Sequence, residues 1–162
     1  MRQKTINTRE PLSEYKLLIN PISSPLLLAL YKDDTLLKSW QVDGYVSDSL
    51  VEELKKILDE YKISEIIYAN GPGSYMGVKL TYILLKTLEI IKEIPFFGAL
   101  GFELNNNLPI KAMGKLYFIK EKETIITKKF DEAIEQNFFA PKRWSEIKKS
   151  STNEPLYNIP AV

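Results

Sequence analysis

The sequence predicts an α/β fold, and three observations carry that prediction. Three short runs rich in strand-forming residues, Tyr15–Asn20, Leu26–Lys32 and Thr35–Val42, follow one another across turn residues. Two longer segments with helical periodicity, about residues 50–61 and 76–93, then alternate with two short apolar runs, about residues 63–70 and 95–100. Between the first of those runs and the second helix stands a glycine-rich turn, GPGSYMG, which punctuates the pattern where a strand passes into a helix.

Taken in order, residues 1–14 are polar, contain Pro11 and show neither period, so they are expected to be a mobile leader without function. Pro21, Ser23, Ser24 and Pro25 break the chain between the first two strands, and Asp33-Asp34 is a hairpin turn signal before the third, giving an antiparallel meander. The first helix is expected to open at Ser49 with Glu52 three residues on, the spacing of a capping box. Leu50, Val51, Leu54, Ile57, Leu58 and Tyr61 form its apolar stripe. The run centred on Ile66 and Ile67 reads as a buried strand.

The resulting order, βββαβαβ, joins a meander to a strand–helix alternation whose parallel crossovers are right-handed. It is the ribonuclease-H-like layout shared with actin-type ATPases (the ASKHA fold). Beyond residue 101 the signal thins: a loop at Asn105, Asn106 and Asn107, a hairpin over about 115–120 and 123–128, a short helix over about 130–136, and a proline-containing tail. The expected organisation is therefore an N-terminal lobe over residues 15–104 and a reduced C-terminal lobe and tail over 105–162.

Composition narrows the chemistry. The 162 residues include no His and no Cys, which removes Ser-His and Cys-His catalysis, HExxH peptidase sites, Cys/His zinc sites and disulfides. With 22 Lys+Arg against 21 Asp+Glu, the net charge of +1 supplies no global field for nucleic acid. Residues 111–149 hold 10 Lys+Arg and 6 Asp+Glu, a local basic surface that could touch RNA phosphates but reads first as a solvated face. No run approaches a membrane span and the amino terminus lacks a signal-peptide core, so a cytoplasmic protein is expected.

Gly71, Pro72, Gly73 and Ser74 could present helix-terminal amides to a phosphate, yet the segment fits neither GxGxxG nor the Walker spacing, and a tight turn that needs glycine explains it as well. A ribonuclease-H-like nuclease needs carboxylates at the ends of the first and fourth strands, where this chain has Asn20 and Asn70. Asparagine is a weak ligand for hard cations, which argues against a two-metal nuclease and against an active ATPase. The second helix is apolar over roughly 120° to 340° of its circumference, more than a helix lying on a sheet needs. Two covers are open to it: a partner, or the chain's own Phe138, Phe139 and Trp144.

At Gly71-Pro72-Gly73-Ser74-Tyr75-Met76-Gly77, the apolar helix that follows, and Ile94-Pro95-Phe96-Phe97-Gly98, the chain resembles the TsaB (YeaZ-type) proteins. Leu17-Leu18-Ile19-Asn20-Pro21 is similar to a degraded copy of that family's opening strand and turn, and the resemblance covers roughly residues 16–101. It implies a non-catalytic partner of the catalytic subunit TsaD, with the ATPase TsaE, in making threonylcarbamoyladenosine on tRNA. It implies no cofactor held by this chain alone, ATP or ADP at the interface of the complex, at most indirect or weak tRNA contact, and no membrane. Pairing, with TsaD or as a homodimer, is implied through the first two helices. The positions carried over are Tyr75, Met76, Gly77, Val78, Thr81, Leu84, Leu85 and Leu88, with Leu50, Leu54 and Ile57 on the first helix, and Gly77 is expected to admit a partner helix closely. The alternative is a degenerate nucleotide-binding protein of the actin or sugar-kinase fold.

Overall fold

A computed structural model describes residues 14–156; the expected leader, apart from Glu14, and the last six residues of the expected tail lie outside them. Strands β1 (Tyr15–Asn20), β2 (Leu26–Lys32) and β3 (Thr35–Val42) lead into helix α1 (Val46–Glu60), strand β4 (Ile63–Ala69), helix α2 (Tyr75–Lys92) and strand β5 (Phe96–Ala99). The expected βββαβαβ order is the one observed. These strands form one sheet in the order β3-β2-β1-β4-β5, antiparallel from β3 to β1 and parallel from β1 to β5. After a 3-10 helix at Gly101–Leu104, strands β6 (Ile110–Met113), β7 (Leu116–Glu121) and β8 (Thr124–Lys129) make a smaller antiparallel sheet.

The central strands are covered on both faces, which is why β1 and β2 read as nearly continuous apolar runs. Because side chains alternate across a strand, Leu17, Ile19, Leu28, Leu30, Ile66 and Tyr68 point to one face and Leu18, Ala29, Tyr31, Ile67 and Ala69 to the other. Leu50, Leu54 and Ile57 of α1 and Val78 and Leu85 of α2 close the first face. Leu104, Trp144 and Ile147, with Phe138 and Ala140 beside them, close the second from chain that has almost no regular structure.

Two local expectations are corrected. Helix α1 starts one turn early, at Val46, with Tyr45 at its N-cap and no side-chain cap; Ser49 Oγ instead donates to the carbonyl of Asp43 at 2.9 Å. The reason is packing: Val46 extends the stripe of Leu50, Leu54 and Ile57 by one turn and reaches the core edge. The short helix expected over 130–136 does not form. Its polar groups are spent on distant partners: Ile134 N donates to Tyr117 Oη at 3.0 Å, Lys111 N donates to Gln136 Oε1 at 3.0 Å, and Gln136 Nε2 donates to the Pro109 carbonyl at 3.2 Å. The strand at β6 was not anticipated.

Candidate functional site

The glycine-rich turn leaves the carboxyl end of β4 and delivers the chain into α2. Gly71 and Gly73 hold φ of +128° and +109°, conformations that side chains rarely adopt, and Ser74 follows at φ +40° without a side-chain cap. The Gly71–Pro72 peptide is cis. Gly101 N donates to the Gly71 carbonyl at 2.8 Å, which ties the turn to the neighbouring strand's exit. A cavity of about 220 Å³ beside the turn is lined by Asn70, Gly71, Ser74, Tyr75, Phe118 and Leu156 among others. Its volume lies below the roughly 300–1,000 Å³ of an ordinary ligand pocket.

The two asparagines at the strand ends are both buried, and both are hydrogen-bonded within the chain. Asn20 Oδ1 accepts from the amides of Ile22 at 3.0 Å and Ser23 at 3.2 Å, which shapes the β1–β2 turn, while its Nδ2 has no partner among the described residues. Asn70 Nδ2 donates to the carbonyls of Thr152 at 3.3 Å and Glu154 at 2.9 Å. A carboxylate could not make that pair of donations, so the residue type that removes a metal ligand is the one the C-terminal segment requires.

The residues expected to meet a partner separate into two sets. Gly77, Val78, Thr81 and Leu85 are buried within this chain, as are Leu50, Leu54 and Ile57. Leu84 and Leu88 are half-buried at the core's edge, and Tyr75 and Met76 are exposed. A Cβ on Gly77 would lie 2.9 Å from Ser74 Oγ, 3.3 Å from the Pro21 carbonyl and 3.5 Å from Val46 Cγ2, so its close neighbours are the β1–β2 turn and α1 of the same chain. What α2 turns outward is a second apolar line: Met76 (63 % exposed), half-buried Leu80, Ile83 (50 %), Ile90 (77 %) and Ile91 (69 %). These residues are spaced by helical turns, and at 100° per residue they fall roughly opposite the buried stripe. The signal was in the sequence, in the breadth of the apolar arc; what was missing was which part of the arc the sheet would use. Phe138 and Trp144 do not cover it, because they pack on the opposite face of the sheet.

Three of the ten cations of the basic region make charge contacts among the described residues. Lys149 Nζ lies 3.8 Å from the centre of the Phe97 ring and 3.4 Å from Glu65 Oε2, Arg143 lies 3.6 Å from Asp34, and Lys128 lies over Phe130. The main-chain amide of Ser145 first, then its hydroxyl and Arg143, hold the Asp34 carboxyl below the usual carboxylate range. The Trp40 indole N–H, helped by Lys56, does the same for Glu53. Burial pushes the Tyr31 hydroxyl well above its ordinary value, with Glu146 adding to it, and that hydroxyl donates to the Pro141 carbonyl at 2.6 Å. Among the described residues no helix is long and apolar enough to cross a membrane.

No protein-family profile and no curated protein matches this chain. Solved structures do. One, YeaZ from Pseudomonas aeruginosa, is 13 % identical with a TM-score of 0.56, the match covering 76 % of this chain and 71 % of that one. Another is described as an uncharacterized protein with similarity to peptidase YeaZ from Pseudomonas aeruginosa; it is 12 % identical with a TM-score of 0.59 and the same coverage. The likeness lies in the fold: this chain has the actin-like α/β architecture of the YeaZ type.

Proposed function

With the YeaZ-type fold as premise, we propose that this chain is a non-catalytic scaffold subunit that pairs with a TsaD-like catalytic subunit, joined by a TsaE-like ATPase, in threonylcarbamoyladenosine modification of tRNA. The observation that carries the reading is the outward line of α2. Met76, Ile83, Ile90 and Ile91 form an exposed apolar ridge on a helix whose opposite side already closes the core. Such a ridge is costly in water and gains by burial against another helix surface. The first helix takes part through its neighbour: α1 packs beside α2, and its Val51 is 52 % exposed. Asn20 and Asn70 supply no ionised carboxylate at the strand ends, which supports a supporting role over a bond-making one.

The nucleotide-binding alternative fits less well, since the cavity at the glycine-rich turn is small and the carboxyl end of β4 is occupied by residues 152–156. Any ATP or ADP then belongs at the joint between subunits. Reconstitution tests the reading: threonylcarbamoyl transfer to tRNA by the TsaD-like subunit, with its TsaE-like ATPase, is measured with and without this chain. Strong dependence on the chain is expected; full transfer without it would overturn the scaffold role.

A further inference from the structure

In open α/β sheets, ligands bind in the crevice outside the carboxyl ends of the strands. Here the chain itself fills the part of that crevice beyond β4 and β5. Residues 150–156 lie there without helix or strand structure. Ser150 N donates to the Gly98 carbonyl at 2.7 Å, and Leu156 N donates to the Asn70 carbonyl at 3.0 Å. Tyr68 Oη donates to the Asn153 carbonyl at 2.6 Å, and Asn70 Nδ2 donates to the carbonyls of Thr152 and Glu154. Every one of these contacts holds main chain of the segment. Gly98 makes the approach possible, because a Cβ there would stand 2.6 Å from Asn70 Nδ2 and 2.8 Å from the Thr152 carbonyl.

Two side chains of the segment add to them: Ser150 Oγ donates to Asn70 Oδ1 at 3.4 Å and Asn153 Nδ2 donates to the Phe96 carbonyl at 3.3 Å. Ser151, Thr152 and Glu154 are exposed, and Pro155 is the buried residue of the segment. Leu156 is half-buried, rests against Gly71, and lines both the cavity at the glycine-rich turn and a larger one of about 390 Å³ bordered by Glu103, Lys120 and Lys148. A surface that grips main chain and offers one apolar seat tolerates many sequences, as in recognition by strand addition. Little apolar area anchors the segment, and regions with few buried apolar contacts open at low free energy.

We propose that Tyr68, Asn70 and Gly98 form a peptide-binding site, and that an extended segment of a partner protein, with an apolar residue at the seat of Leu156, takes the place of residues 150–156. The site presents two donors and two carbonyl acceptors at fixed positions along the crevice, a pattern that fits an extended peptide main chain. Asn70 is the deciding residue: its amide donates twice, whereas a carboxylate would face two carbonyls with acceptors only.

The test uses full-length chain and a fluorescently labelled peptide of residues 148–156, followed by anisotropy. In the unaltered chain the tethered segment competes at millimolar effective concentration, so Leu156→Asp, which unseats it, is expected to bind the peptide at least about tenfold more tightly. Adding Asn70→Asp to Leu156→Asp should abolish the gain. Equal binding by the unaltered and Leu156→Asp chains, or binding that survives Asn70→Asp, would overturn the proposal. Hydrogen exchange on the unaltered chain keeps the test open if a variant fails to fold: the amides of Ser150 and Leu156 should exchange faster than those of β4, and exchange at the same rate would contradict an opening crevice. Light scattering should show the same assembly for the unaltered and Leu156→Asp chains; a dimer of the unaltered chain that Leu156→Asp dissociates would make the occupant the segment of a second copy and overturn its assignment to a different protein.

Discussion

The two faces of the five-stranded sheet are closed by opposite means. On one, α1 and α2 lay down regular stripes, so that Leu50, Leu54, Ile57, Val78 and Leu85 share the work of covering Leu17, Leu28 and Ile66. On the other, irregular chain brings Trp144 and Ile147 onto Leu18, Ala29, Tyr31 and Ile67. Trp144 makes an edge contact with Tyr31 at 5.1 Å, and its indole donates to Glu65 Oε1 at 2.6 Å. The helical face spreads its burial over many similar residues. The irregular face relies on a few residues of different shape, Leu104, Trp144, Ile147 and Phe138, with the largest pinned by a polar contact that reaches across the sequence.

Truncation should expose that difference most strongly at Trp144. Trp144→Ala is expected to lower the unfolding free energy by about 3–5 kcal/mol, since it removes a large buried ring and strands the Glu65 contact. Leu85→Ala on the helical face should cost about 2–5 kcal/mol, toward the lower end if neighbouring helix residues relax into the space. Urea denaturation of both variants decides the order, and a smaller loss at Trp144 would break the contrast. Asn70→Asp should cost about 1–3 kcal/mol, because the carbonyls of residues 152 and 154 lose their donor and a buried carboxylate turns acceptors toward them.

Acid should weaken the protein through Asp34 and Glu53. Both carboxyls are held below their ordinary values when folded, so their contribution is present above the unfolded carboxylate range and is lost as pH falls from there through the lowered folded values. The urea midpoint is expected to drop between about pH 5 and pH 2, and Glu53→Gln should make that drop shallower. A midpoint that rises on acidification would contradict this assignment.

The helical face was legible in the sequence because its signals are periodic and local: the spacing of Leu50, Leu54 and Ile57, and the strand–turn–helix passage at Gly71 to Gly77, fall within a few turns of chain. The other face was not. Trp144 lies 113 positions from Tyr31, and no period announces that its indole will pack there. Asn70 was legible as a missing metal ligand but not as the donor to residues 152 and 154, whose carbonyls carry no side-chain signature. On α2 the breadth of the apolar arc was visible, whereas its division into a buried stripe at Val78 and Leu85 and an outer line at Ile83 and Ile90 depends on where the sheet lies.

That division is the centre of the account, and Ile90→Glu tests it most directly. The residue is 77 % exposed, so the substitution should change the unfolding free energy by no more than about 0.5 kcal/mol. Size-exclusion chromatography with light scattering, on mixtures with a TsaD-like subunit at tens of micromolar, should show a complex with the unaltered chain and none with folded Ile90→Glu, because pairing would bury an uncompensated carboxylate. A complex that forms equally well with the variant would contradict a partner surface on the outer line of α2.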